Sequence, residues 1–451
     1  MEISADTAAC QGRRRAVLEA IEGPALVPAG QPTPRNYLAN PHPFRASSHF
    51  LYLVGAALPG AWLLLDGEAT LFVPTPPPDD ALWHGPQPSP AMLAELLGIA
   101  VRPLEALAGA VGGRAVAMLP ALDGRTQADQ AQWRRDPGTD EVLAAALIRQ
   151  RLVHDAAAQA QLREAAQATV AAHQAGMAHT RPGIRAWVVR AWMEAELGCR
   201  GMGTAYGSIV TPAGEVLHNH DHHDLLAAGD LLLADVGAET RGGFAGDVTR
   251  TWPVSGRFSS TQRALYEVVL AAQKAAISKA KPGVRYRDVH LAAALKLTEG
   301  LVDLGILRGD VESLVADDVH AVFFPHGIGH LLGLDVHDME DLGDRAGYAP
   351  GRERSNRFGL GYLRLDRDLV PGMAVTIEPG FYQVPALLES AELRVRGADR
   401  IQRRVLAQFA DVRGIRIEDD VLITADGNDV LTGALAREVE AVEAEVGRCV
   451  A

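Results

Sequence analysis

Three cysteines, no block of positive charge and no apolar stretch of membrane length are scarcities that each remove a class of protein. Cys10, Cys199 and Cys449 are odd in number and widely spaced. That suits neither a disulfide framework nor a thiolate metal site, and it points to a reducing, cytoplasmic setting. The formal charge is -13 and no Lys/Arg block could neutralise a run of phosphates, so no nucleic acid and no anionic membrane is expected as partner. The longest candidates for an apolar run are short pieces such as Trp62 to Leu65, far below the roughly 20 residues that span a bilayer. Met1 to Ala20 carries Arg13-Arg14-Arg15 but no apolar core of signal-peptide length, so export is not expected. A G-x-S-x-G nucleophile elbow is missing, and Cys199 has no histidine near it in sequence. Hydrolysis by an activated water is therefore simpler than a covalent route.

What is present is an ordinary globular composition, 48% hydrophobic and 22% charged over 451 residues, long enough that two domains are expected. Short apolar runs at Phe50 to Val54, Ala61 to Leu65 and Thr70 to Val73 read as strands between Gly and Pro clusters. The Pro-rich Pro74 to Asp80 and Leu82 to Pro90 read as a surface excursion. From Asp140 to His179 there is no glycine before Gly176, which favours long helix and holds the domain junction. Two later stretches are alike, Ala171 to Arg185 ending Thr-Arg-Pro-Gly-Ile-Arg and Ala271 to Arg285 ending Ala-Lys-Pro-Gly-Val-Arg. Each is a helix, a Pro-Gly stop and a second helix, the pattern of a duplicated α/β half backing one curved sheet.

Four clusters carry chemistry. Leu231 to Ala234 delivers Asp235, and a Gly-rich stretch leads on to Asp247 and Thr249-Arg250-Thr251. As a hairpin this sets two carboxylates on one face for divalent ions; the structural alternative is two turn aspartates. His326, His330 and His337 fall within the glycine-rich Phe323 to Asp338, where backbone freedom lets imidazoles approach an ion. A lone histidine there reads as a core residue. Leu369 to Ile377 reads as a turn and strand ending at Glu378, and Gly414 to Asp420 alternates so that Arg416, Glu418 and Asp420 share one face. The last is equally a solvent-facing charged ladder. Together the four form an oxygen-rich set that favours Mn, Mg or Co over thiolate zinc chemistry.

At these residues the sequence resembles the aminopeptidase P and prolidase family. The resemblance implies an α/β (α+β) fold, a creatinase-like N-terminal α/β domain (1–158) followed by a C-terminal pita-bread metallopeptidase domain (159–451). Phe44 to Gly55, Arg35-Asn36 and Trp83-His84-Gly85 carry the match in the first domain. The family's metal ligands fall on Asp235, Asp247, His330, Glu378 and Glu418, and its catalytic residues on His218, His326, His337 and Arg416, with Glu378 in both roles. The cofactors implied are two divalent metal ions, manganese first and cobalt, zinc or magnesium as alternatives. The implied reaction is attack on the Xaa-Pro bond by hydroxide bridging the two ions. The implied partners are proline-containing peptides and further copies of the chain in a homodimer or homotetramer. A prolidase restricted to dipeptides, an organophosphate side activity and a metal-free binding module are the alternatives. Two departures stand out. The Asp235 to Asp247 spacing is one residue longer than in the family, around Thr240 to Gly243. Gln383 to Arg413 is a long Arg-rich segment between Glu378 and Glu418, in a position to overhang the site, whose role its residues do not give.

Overall fold

Apolar runs punctuated by glycine build the first sheet. In the computed structural model, which describes residues 6–390 and 399–449, β1 (Ala25–Pro28), β2 (Trp62–Asp66), β3 (Glu68–Val73) and β4 (Ala100–Pro103) hydrogen-bond in that order. The first two pairings are antiparallel and the last is parallel. Gly67, at φ +69°, makes the tight turn between β2 and β3. Leu26, Trp62, Leu64, Phe72, Val111 and Met118 form the core on one side of this sheet.

Phe50 to Val54 corrects the strand expectation, because Ser48–Val54 is a helix. Ser47 caps it by accepting from Phe50 N, and Gly55 ends it at φ 78°. Its residues from His49 to Val54 are all buried, so no polar face was left to reveal a helical period. The long helical stretch expected across 140–179 forms two helices, Pro137–Arg151 and Ala156–His179. The chain divides into two units, Met1–Ala157 and Ala158–Ala451.

The second unit repeats one motif. Helices Ala156–His179 and Ala186–Cys199 meet at Pro182-Gly183, and helices Ser260–Lys279 and Tyr286–Asp303 meet at Pro282-Gly283. Gly183 and Gly283 lie at φ +84° and +79° and donate to Leu226 O and Leu369 O respectively. Left-handed turns then lead each repeat into a central strand, at Gly229 (φ +93°) and Gly372 (φ +91°). β7 (Leu231–Asp235) ends on Asp235, and β10 (Ala374–Ile377) ends against Glu378. The two carboxylates thus occupy matching positions.

Around these strands, β6 (Ile209–Thr211), β7 and β9 (Thr249–Pro253) form one antiparallel sheet, and β10, β13 (Asp419–Ile423) and β14 (Asn428–Val430) form another. Short pairs β5 (Gly203–Thr204) with β8 (Ala238–Glu239), and β11 (Gly380–Tyr382) with β12 (Gly414–Arg416), flank them. Glu418 N donates to Thr249 O and Thr376 N to His330 O, so the histidine loop, β10, residues 416–418 and β9 converge. Among the described residues no helix is long and apolar enough to cross a membrane.

Candidate metal centre

The β7–β9 hairpin presents its two aspartates through a glycine contact. A Cβ on Gly237 would stand 1.9 Å from Gly246 O, so only glycine lets the two strands close behind Asp235 and Asp247. Between the two aspartates the chain turns at Thr240 to Phe244, where Thr240 N donates to Phe244 O and Gly243 lies at φ +86°. On the other side, a Cβ on Gly329 would meet Thr376 O at 2.3 Å and Tyr286 Oη at 2.4 Å. This glycine seats the histidine loop on β10.

Asp235, Asp247, His330, Glu378, Glu418, His218, His326, His337 and Arg416 all line one cavity of about 310 Å³, together with Leu217, Pro325, Tyr362 and Arg364. Asp247, His330 and Glu418 offer ligand atoms within 4.8 Å of one another. His330 Nε2 lies 3.3 Å from Asp247 Oδ2 and 3.6 Å from Glu378 Oε1. Its Nδ1 faces Leu331 O at 3.0 Å as an N–H donor, so Nε2 is the nitrogen turned to the carboxylates, the one that would become a ligand once an ion displaces its proton. Arg416 Nη2 reaches Asp235 Oδ2 at 2.6 Å, and the Thr249 hydroxyl donates to Glu418 Oε2 at 2.6 Å. The charged-ladder alternative fails on burial, since Arg416, Glu418 and Asp420 are 4%, 2% and 0% exposed. Asp420 accepts from Asp247 N and braces the hairpin.

The electrostatics match a cation site. Burial raises Glu378 to about 7, with the Asp247 and Asp235 charges adding to it and His330 and Arg416 opposing. Burial likewise drives Glu418 well above the carboxylate range, with Asp247 and Glu378 beside it, and raises Asp235 against the pull of Arg416. Burial would lower His330, but its hydrogen bond to Asp247 and the nearby carboxylates outweigh it and raise it to about 9. In the protein alone the cluster therefore holds protons that divalent ions would displace.

Several participants carried no signal in the sequence. Tyr206 stands at hydrogen-bond distance from Asp235 Oδ1 and Asp247 Oδ1, yet it comes from a loop far from both in sequence. Tyr382 joins Arg416 Nη1, which donates to it at 3.2 Å, to His326 Nε2 at 2.9 Å. His326 Nδ1 donates to Gly327 O, so Nε2 is the acceptor and the Tyr382 hydroxyl donates. Only its place at the end of β11, just past Glu378, hinted at Tyr382. The histidine run Asn219 to His223 builds no metal cluster among the described residues. His222 bonds Val210 O, and His223 bonds Asp221 and lies edge-on to Trp187. The described part of Gln383 to Arg413 lines none of the cavity and packs instead beside Ile306 to Arg308; 391–398 lie outside the described residues.

Comparison with known proteins agrees with this geometry. Residues 160–425 match the model of metallopeptidase family M24, and residues 10–114 match the aminopeptidase P N-terminal domain. A human Xaa-Pro dipeptidase is 32% identical over 427 residues, covering 90% of this chain and 85% of its own. A probable Xaa-Pro aminopeptidase of Talaromyces marneffei is 34% identical over 415 residues, covering 87% and 86%. The aminopeptidase PepP structure from Pseudomonas aeruginosa superposes with a TM-score of 0.83 at 30% identity, covering 98% of both chains. A variant of Escherichia coli aminopeptidase P in complex with substrate gives 0.81 at 28% identity, again covering 98% of both. With the metallopeptidase model matched over more than half its length and the N-terminal model ahead of it, the chain belongs to metallopeptidase family M24 and carries the aminopeptidase P N-terminal domain.

Proposed function

We propose that the protein is an Xaa-Pro aminopeptidase, a metallo-exopeptidase that hydrolyses the bond between an N-terminal residue and proline. The observation that carries this reading is the convergence of Asp235, Asp247, Glu378, Glu418 and His330 in one cavity. These five residues would hold two divalent ions, manganese first, since the donors are oxygen-rich and include one imidazole. When bound, such ions lower the pKa of water from about 15.7 toward about 7 and polarise a carbonyl.

The chain's own groups divide the remaining work. The Glu378 carboxylate takes a proton from the attacking water. His326 and His337 line the cavity and hold the substrate, His337 through Nε2 as an acceptor, and His218 lies on the proline side. Arg416 holds Asp235 Oδ2 and polarises the Tyr382 hydroxyl that donates to His326. The solved relatives include Escherichia coli aminopeptidase P with the inhibitor Pro-Leu, which supports proline-containing peptides as substrates here. Free cysteines and the absence of a membrane-spanning helix among the described residues support a cytoplasmic setting, and a homodimer or homotetramer is the expected assembly.

A strict prolidase is the second reading, favoured by the similarity to the human Xaa-Pro dipeptidase. One assay separates them: product analysis from Gly-Pro and from a longer Xaa-Pro-Pro peptide, each with Mn²⁺ and with chelator. Chelator-sensitive release of the first residue from the longer peptide establishes the aminopeptidase. Cleavage of the dipeptide alone makes it a prolidase, and cleavage of neither refutes both.

A further inference from the structure

Glu340 has no part in the reading above, yet it touches two walls of the cavity at once. Its Oε2 accepts from His337 Nδ1 at 3.2 Å and from Arg364 Nη1 at 2.6 Å. Both donors line the catalytic cavity. Glu340 does not; it lines a separate cavity of about 70 Å³ behind His330, with Asp338, Arg354 and Arg364. The carboxylate is thus a back-side brace for groups that face the substrate.

The backbone is bent to deliver it. Met339, fully buried, sits at φ 61°, ψ 20°, one of two non-glycine residues among those described with positive φ. A left-handed residue with a side chain is strained and persists only where packing holds it. The turn Glu340–Leu342 begins directly after it and brings the carboxylate back onto the ring of His337. The His330 ring lies 4.1 Å from that of His337, so His337 is flanked by a candidate metal ligand on one side and held by Glu340 through one nitrogen. Because Nδ1 donates to a carboxylate, Nε2 is the nitrogen left for the substrate, and it has no hydrogen bond within the described protein.

We propose that Glu340 is a positioning residue of the peptidase site, which fixes the tautomer and direction of His337 and locks Arg364 to it as one wall of the substrate pocket. This rests on the aminopeptidase reading, and its test has one arm that does not. In that arm, ring-nitrogen NMR of His337 in the unaltered protein reports a protonated Nδ1 and an unprotonated Nε2, whereas Glu340→Ala gives mixed tautomers. The same tautomer population in both overturns the proposal whether or not any peptide is cleaved.

The second arm is kinetic. With Mn²⁺ and an Xaa-Pro-Pro peptide, Glu340→Ala lowers kcat about tenfold, the scale of a lost orienting partner, with metal stoichiometry unchanged. Glu340→Gln, whose amide oxygen still accepts from Nδ1, recovers part of kcat but keeps a raised KM. In a His337→Ala background Glu340→Ala lowers kcat no further, since the brace has nothing left to orient. Wild-type kcat and KM in Glu340→Ala, or a full multiplicative loss in the double variant, overturns the proposal. If Glu340→Ala does not fold, Glu340→Leu, of similar size and without an acceptor, takes its place in both arms under the same criteria. An unaltered enzyme that cleaves no peptide refutes the aminopeptidase reading and leaves the tautomer arm to decide on Glu340.

Discussion

A tyrosine hydroxyl has one proton, yet Tyr206 Oη stands 2.5 Å from Asp235 Oδ1 and 2.6 Å from Asp247 Oδ1. It can donate to one of them only, and the remaining oxygens need a proton or a cation between them. Tyr206→Phe should therefore weaken divalent-ion affinity by about 10- to 100-fold while leaving the fold intact, as read by metal titration and circular dichroism. Unchanged affinity would remove Tyr206 from the centre. Asp247→Asn takes away a charge that lies 3.3 Å from His330 Nε2 and should abolish metal retention and activity together. His337→Ala should lower turnover with metal retained, and full activity in either variant would sink the corresponding role. The sequence clusters contained every residue of this acidic and histidine set, but neither Tyr206 nor Glu340, because a partner supplied by a loop has no period or spacing to reveal it.

Elements position these residues, and glycine decides how closely they approach. Gly237→Ala would drive a Cβ into Gly246 O, so the hairpin must open and the variant should purify metal-poor, with a lowered Tm and no activity. A milder test is Ser259→Ala. Ser259 closes a capping box with Gln262 at the start of helix Ser260–Lys279, and its loss should cost about 1 kcal/mol with no change in kcat. A loss of activity there would mean that the helix is coupled to the site more tightly than its capping implies. The Pro-Gly stops were legible because they act locally. Phe50 to Val54 was not, because a segment buried on every side presents the same apolar run as helix or strand.

Across the molecule, burial makes the catalytic unit sensitive to acid. His173 and His290 are lowered to about 3 and His320 to about 4, in each case first by burial. The unfolded chain binds a proton at each near pH 6.5, whereas the folded chain does not until much lower pH. The unfolded state therefore holds more protons through this window, and stability falls as pH falls from about 6.5 toward 4. The Tm of the metal-loaded protein should drop steadily between pH 7 and 4.5, and His320→Asn should flatten the slope. A flat profile would mean that these histidines are solvated. Added Mn²⁺ should raise the Tm at pH 7 by mass action on the folded state, and chelator should reverse it.

The sequence by itself determined the residue types, the Pro-Gly stops, the strand-end carboxylates and the resemblance, because these follow from local conformational preference and from spacing along the chain. It also determined what the chain excludes, since charge balance and the length of apolar runs do not depend on the fold. Tertiary structure alone decided which of these groups meet. Asp235 and Arg416, or Tyr206 and Asp247, come together because paired sheets and glycine contacts close strands distant in the chain onto one cavity. It also decided that the alternating face of Arg416, Glu418 and Asp420 is buried, for the same alternation fits a solvated strand equally well, and only the packing of β9 and the histidine loop over it removes the water.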